Sequence, residues 1–236
     1  MSLRRKLLAA LALVASLAVL GFAFLYFRIS HPPVERRLLP AGLVSLDSEE
    51  GHALLASATA HADHDVLAPW AQTQQKASWC GVASSATVLS GLEGRRVAQE
   101  EVIERGSGVR SFLRITFGGM PLDDLGRILR ANGAEATVVH ADASSVERLR
   151  ATLRENLARP DDFLLVNYAR ASLGQGDTGH ISPVSAYDEA TDRVLVLDTA
   201  RYKWPATWIR VPALFRAMDT VDSDGGKRRG WVVVRR

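Results

Sequence analysis

Among the 236 residues a single cysteine occurs, Cys80, so the chain can form neither an intramolecular disulfide nor a cysteine-based zinc site. A lone cysteine is more often a small buried apolar residue than a nucleophile. Its surroundings here argue for reactivity. Ser78-Trp79-Cys80-Gly81 leads into residues 82–92, VASSATVLSGL, where Val82, Ser85, Val88 and Leu89 recur on one helical face and Gly91 or Gly94 closes the run. Cys80 is therefore expected at a helix N-terminus, where unpaired N–H groups and the helix dipole favour a thiolate and lower its pKa. A thiolate so placed can attack a carbonyl.

Such a nucleophile needs a base within hydrogen-bond reach, and the base needs a group that fixes its tautomer. Histidines stand at 31, 52, 61, 64, 140 and 180. The first four belong to the N-terminal segment, and His140 ends a strand-like run from 136 with a structural role. His180 follows the flexible loop 174–179 and opens an apolar strand over 181–187. A turn at 188–192 leads into the buried strand 194–197, which ends at Asp198. A hairpin centred on residue 189 sets His180 opposite Asp198, with Cβ atoms roughly 4.5–5.5 Å apart. A centre at 190 leaves them diagonal on the same face, whereas a shift of half a residue sends them to opposite faces. The expectation is a His180–Asp198 hydrogen bond that serves Cys80. The competing reading of Asp198 is a turn or cap residue.

The elements that must hold these groups read as α+β. Residues 119–130 form a helix with Pro121 in its first turn and Asn132-Gly133 after it, and 144–157 form another, with Val146, Leu149, Leu153 and Leu157 at helical spacing. Strands are expected at 163–168 and 231–234. A helical half carrying Cys80 then faces a sheet half carrying His180 and Asp198.

At the N-terminus, residues 7–27 are uncharged and almost wholly apolar, long enough for a membrane helix. Arg4-Arg5-Lys6 precede them, which keeps that end in the cytoplasm. No A-x-A cleavage site follows, so an uncleaved anchor in the inner or plasma membrane, with the rest of the chain periplasmic, is preferred over export after signal cleavage. The division expected is 1–28 anchor, 29–64 linker, with His31-Pro32-Pro33 extended, and 65–236 catalytic domain. His61, His64 and nearby aspartates could touch a cation, but a solvated segment is the simpler reading, and no metal site is assigned. Residues 1–40 hold a net charge of +5 out of +3 for the chain, leaving −2 elsewhere. The basicity flanks the apolar segment, so no nucleic-acid partner is expected.

With these residues in view, the chain resembles the phytochelatin synthases, papain-like transferases acting on glutathione. Residues 72–84, QTQQKASWCGVAS, resemble that family's nucleophile segment, and 179–183, GHISP, and 197–205, LDTARYKWP, its histidine and aspartate segments. Three motifs in order cover about 65–236. The resemblance implies a papain-like fold with a helical subdomain packed on an antiparallel sheet. It implies Cys80 as nucleophile, His180 as base and then acid, Asp198 as orienter, and Gln74 as an oxyanion-hole amide. Asp222 and Arg229 correspond to residues that hold the amino and carboxylate groups of the γ-glutamyl end, and Arg201 to an arginine near the site. The implied reaction releases glycine from glutathione through a γ-Glu-Cys thioester. Water then gives γ-Glu-Cys, or a second glutathione gives a phytochelatin. No cofactor is needed for acylation, and a Cd or Zn glutathione thiolate is the metal species that could enter transpeptidation, linking the chain to heavy-metal response. The cysteine-rich C-terminal region of plant-type members has no counterpart here, which ranks hydrolysis at least level with chain extension. Two other readings compete: a general papain-like peptidase on exported peptides, indifferent to Asp222 and Arg229, and a non-catalytic membrane-tethered thiol or metal-binding module. The oligomeric state is left open, a homodimer being one option.

Overall fold

The structure, a computed structural model, describes residues 2–236; Met1, the first residue of the expected anchor, lies outside them. Helix α1 (Leu3–Ser30) is a long, exposed apolar rod. An extended stretch follows and is tied down where the Glu35 and Arg37 N–H groups donate to the carbonyls of Tyr202 and Lys203. From Val44 onward the chain belongs to the folded domain. β1 (Val44–Ser45) pairs with residues 207–208 near the other end of the chain, and α2 (Glu49–Ser57), capped by Ser48, carries Leu54 into the core. α3 (Ala62–Leu67) buries Leu67. The linker expected over 29–64 is thus confined to its first part, because 44–64 contain enough apolar residues to pack on the sheet.

α4 (Cys80–Glu93) begins at the cysteine and stops at Gly94, whose φ of 66° is left-handed. The sequence pattern suggested one apolar face. Instead every residue from Gly81 to Ser90 is buried, since α4 runs through the middle of the domain. Its hydroxyls are absorbed locally: Ser85 and Ser90 donate to the carbonyls four residues back. α5 (Gln99–Arg105), α6 (Phe112–Gly118) and α7 (Leu122–Ala131) follow; α7 starts three residues later than the expected 119, with Pro121 as its extended N-cap rather than in its first turn, because Gly119 closes α6. β2 (Glu135–His140) and α8 (Val146–Asn156) precede the sheet's central strands β3 (Asp162–Ala169), β4 (Gly179–Asp188) and β5 (Arg193–Val196). β6 (Thr207–Arg210), α9 (Val211–Met218) and β7 (Gly230–Arg235) complete the chain.

The seven strands form one antiparallel sheet in the order β1-β6-β5-β4-β3-β7-β2. Helices cover both faces rather than one. Phe163, Leu165, Ile181, Leu195 and Val232 join the core under α4, α5 and α7. Leu164, Val166, Val184, Val196 and Trp231 join a second core with α8 and α9. Two covered faces explain why residues 163–166 of β3 and 194–196 of β5 read as continuous apolar runs instead of alternating ones.

Candidate active site

α4 meets β4 at its first turn. Gly81 permits this approach: a Cβ there would lie 3.0 Å from Met120 Sδ and 3.2 Å from Ile181 Cδ1. Ser84 Oγ donates to the Ile181 carbonyl at 3.0 Å and locks the crossing. Cys80 itself is partly exposed, and its sulfur lies against the backbone of Ile181, the residue after His180.

The His180–Asp198 pair forms as expected, but through a device the sequence did not disclose. Near the turn, Asp188 faces Arg193, Tyr187 faces Val194 and Ala186 faces Leu195, a register centred at 190.5. Continued outward, that register would separate the two side chains onto opposite faces. A bulge between Val184 and Ala186 absorbs the half-residue: beyond it Val184 faces Val196, and the Leu197 N–H donates to the Pro183 carbonyl. The hairpin centre becomes 190, which puts His180 and Asp198 on one side, diagonally related. His180 Nε2 then lies 3.0 Å from Asp198 Oδ1 and 2.9 Å from Ser182 Oγ. Both residues are almost fully buried. Tyr168, opposite His180 on β3, packs edge-on against its ring at 5.7 Å between centroids.

Arg170, which sequence reasoning missed, completes this cluster. Its guanidinium is buried and grips both Asp198 oxygens at 2.9 and 2.8 Å, with a further bond to Gln175 Oε1 at 2.9 Å. The Ala200 N–H also donates to Asp198, at 2.8 Å. Burial alone would raise the Asp198 pKa, but His180, Arg170 and these hydrogen bonds outweigh it and hold the carboxyl far below the usual carboxylate range. His180 is pushed below its ordinary value by burial and by Arg170, against the pull of Asp198. Burial pushes the Cys80 thiol up, although the backbone N–H groups of Ile181 and Gly81 and the Arg170 charge all favour the thiolate. The helix start thus acts in the expected direction on the thiol, and desolvation opposes it. Among the described hydrogen bonds none joins Cys80 to the His180 ring, so proton transfer requires a further approach, of the kind catalytic hydrogen bonds make on binding substrate.

Gln74 is buried beside the nucleophile segment, but both amide hydrogens are engaged, with the carbonyls of Lys76 and Ala77 at 3.0 and 2.7 Å. Its backbone N–H donates to the Thr199 carbonyl at 2.8 Å, tying the loop before Cys80 to the segment after Asp198. In this geometry Gln74 orders the loop and does not present a free donor to an oxyanion. Arg201 is exposed, and no described hydrogen bond involves its guanidinium.

Asp222 and Arg229 do come together. Arg229 Nη2 stands 3.8 Å from Asp222 Oδ1, while Arg229 Nη1 donates to Thr220 Oγ1 and the Val221 carbonyl at 3.0 and 2.7 Å. Asn167 joins them, donating to Asp222 Oδ2 at 3.3 Å. It was legible as the polar residue inside the apolar run 163–168. Arg229 Nε is buried with no partner. The guanidinium lies over Gly179, where a Cβ would be 3.0 Å from Nη2. Gly179 precedes His180, so this polar cradle adjoins the thiol–imidazole–carboxylate cluster.

A thiol at the tip of a buried helix, against a sheet that carries a buried imidazole–carboxylate pair, puts the chain in the class of α+β proteins with a candidate cysteine nucleophile. Within that class the chain belongs to the phytochelatin synthase family, whose model matches residues 34–231. It is 30% identical over 214 residues to glutathione gamma-glutamylcysteinyltransferase 1 of Lotus japonicus, covering 85% of this chain and 42% of that one. The wheat (Triticum aestivum) protein of the same name is 31% identical over 216 residues, again 85% and 42%. The Schizosaccharomyces pombe transferase is 24% identical over 211 residues, 84% and 50%. The chain thus spans about half the length of these relatives. Among solved structures, the cysteine protease xylellain from Xylella fastidiosa aligns over 88% of this chain and 96% of its own, at 9% identity and a TM-score of 0.45.

Proposed function

We propose that this chain removes glycine from glutathione through a γ-Glu-Cys thioester on Cys80, from a papain-like domain held at a membrane. The observation that carries the reading is the contiguity of two sites. His180, near the start of β4, lies 3.0 Å from Asp198, the Cys80 sulfur lies against the backbone of the next residue, Ile181, and the Asp222–Arg229–Asn167 cradle begins at Gly179 beside them. A cationic fork and a carboxylate, with a buried unpaired N–H, suit the zwitterionic head of a γ-glutamyl group.

His180 takes the thiol proton as Cys80 Sγ attacks the carbonyl of the substrate's Cys–Gly bond. The C–N bond breaks, His180 returns the proton to the departing glycine amine, and the acyl group stays on sulfur. Water activated by His180 then releases γ-Glu-Cys, or the amine of a second glutathione takes the acyl group. Asp198, pinned by Arg170, keeps the imidazole oriented. The backbone N–H of Cys80, at the start of α4, is a natural donor to the oxyanion, each such donor contributing about 3–4 kcal/mol. Gln74 holds the segment in place and joins as a second donor only by releasing Lys76 or Ala77. Arg201 lies at the rim, available to the substrate's glycine carboxylate. A cadmium or zinc glutathione thiolate would enter as acceptor substrate.

α1 supports an anchor: Leu3–Arg28 is long and apolar enough to cross a membrane and is wholly unburied by the domain. With Arg4-Arg5-Lys6 on the cytoplasmic side, the catalytic domain lies outside the cytoplasm. Incubation of the full chain with glutathione, resolved by mass spectrometry, should yield free glycine, γ-Glu-Cys and a transient acyl adduct on Cys80. The same run with and without cadmium ions separates hydrolysis from chain extension. Glycine release by Cys80→Ser at the native rate would sink the assignment. Equal turnover of the α-linked Glu-Cys-Gly peptide would instead favour a general peptidase.

A further inference from the structure

Apart from Val221, the large apolar side chains exposed by the folded domain are gathered in α6: Phe112, Leu113 and Phe117. They are not scattered, and the helix that carries them lies against the apolar rod of α1. The Phe117 and Phe22 rings approach to 5.9 Å between centroids. At the end of the rod, Lys76 Nζ lies 5.4 Å from the centre of the Tyr26 ring and 3.3 Å from Ser30 Oγ.

The level of this contact in a bilayer follows from helix geometry. The uncharged run 7–27 rises about 31 Å, close to the ~30 Å hydrocarbon thickness. Phe22 lies five residues before the end of that run, hence about 7–8 Å inside the hydrocarbon edge. A residue that touches Phe22 from the domain side cannot be in bulk water. Helices that lie in the interface bury their apolar face about 5–10 Å into the headgroup and acyl boundary. Exposed Arg114 on α6 and Lys76 beside Tyr26 supply cations at headgroup level.

We propose that α6 is an interfacial helix seated in the outer leaflet of the membrane that α1 crosses, through Phe112, Leu113 and Phe117. The proposal rests on α1 being a membrane span. It has a consequence for the active site, because α6 braces the nucleophile segment. Ser78 Oγ donates to the Thr116 carbonyl at 2.6 Å, Trp79 Nε1 to Thr116 Oγ1 at 3.2 Å, and Phe112 packs edge-on against Trp79 at 5.8 Å. The segment leading to Cys80 is thereby held at the lipid surface.

The lone cysteine makes the test direct. In a Cys80→Ser background, full-length chain bearing Leu17→Cys, Leu113→Cys or Glu155→Cys is labelled with a bimane. It is then reconstituted into vesicles of equal phosphatidylethanolamine and phosphatidylglycerol carrying doxyl quenchers near the headgroup or near the acyl terminus. The label at 17 should be quenched best by the deep quencher. The label at 113 should be quenched severalfold more by the shallow one, and the label at 155, on the exposed side of α8, by neither. Emission at 113 that matches 155 while 17 is quenched overturns the α6 proposal and leaves the anchor standing. An unquenched label at 17 overturns the anchor reading itself. Energy transfer between 113 labels on different chains, without lipid quenching, would put a second copy on the patch and refute lipid seating.

Discussion

Two arginine–carboxylate pairs flank His180, and they are built to opposite plans. Arg170 and Asp198 are closed: two bonds under 3 Å, full burial, and the remaining capacity taken by Gln175, His180 and the Ala200 N–H. Arg229 and Asp222 are open, 3.8 Å apart, with Asn167 leaning on the carboxylate and a buried Nε that nothing in the protein satisfies. A closed buried pair gains little net stability against an apolar replacement, but losing one partner strands a charge. An open pair keeps hydrogen-bonding capacity for a ligand. On the proposed function, the closed pair would position the chemistry and the open one would recognise the substrate.

The largest effect should come from the closed side. Asp198→Asn leaves the shape intact but offers His180 the wrong tautomer, and kcat for glycine release should fall about 10³–10⁴-fold. KM for glutathione should change little by comparison, and a comparable KM rise would blur the division of labour.

Arg170→Met should cost about 3–5 kcal/mol of stability, read as a lower thermal midpoint, because Asp198 keeps its charge without its fork. It should also move the acid limb of kcat/KM. His180 must be neutral to accept the thiol proton, and burial with the Arg170 charge holds its pKa down, which moves that limb to the acid side of an ordinary histidine's. Removing the Arg170 charge raises the His180 pKa, so the limb should shift upward. An unmoved limb would mean that Arg170 acts through packing alone.

On the open side, Arg229→Lys keeps the charge and loses the fork. KM for glutathione should rise about 10–100-fold, with kcat and the thermal midpoint changing less than in Arg170→Met. A midpoint drop as large as that of Arg170→Met would show that the two pairs are alike after all.

Another carboxyl, deeply buried, sharpens the contrast by having no partner. Asp63 on α3 is fully buried with neither oxygen bonded, and desolvation, aided by Asp162 and Asp161, pushes its pKa up to about 9. A raised carboxyl pKa means that the native state holds a proton the unfolded chain gives up. Stability should therefore fall between about pH 4 and pH 9, by ~1.4 kcal/mol per pH unit at most. Asp63→Asn should remove that slope and stabilise the protein at pH 8 while leaving pH 4 nearly unchanged. Denaturant titrations at the two pH values decide it.

Much of this arrangement could be read along the chain, and the parts that could not share a cause. The helix start at Cys80, the strands around His180 and Asp198, and the β7 run follow from local pattern. The long reach of Arg170, placed just after a strand and bonded to a residue 28 positions on, carries no local signal. Nor does Ser182, which bridges His180 and the Thr199 N–H. For the thiol, the dipole of α4 is visible in sequence, while the depth of the site, which opposes it, is not. Residues 44–64 passed for a linker since short apolar stretches show their worth only against a surface.

What sequence alone determined is which groups are present and which elements bear them: one thiol at a helix tip, one histidine and one aspartate on the arms of a hairpin. Whether those arms bring the two side chains to one face was decided by the bulge between Val184 and Ala186. Side chains on a strand alternate with a period of two residues, so a half-residue change of register reverses the answer. Propensity along the chain is blind to that step, and packing of the whole sheet between its two helical layers selects it.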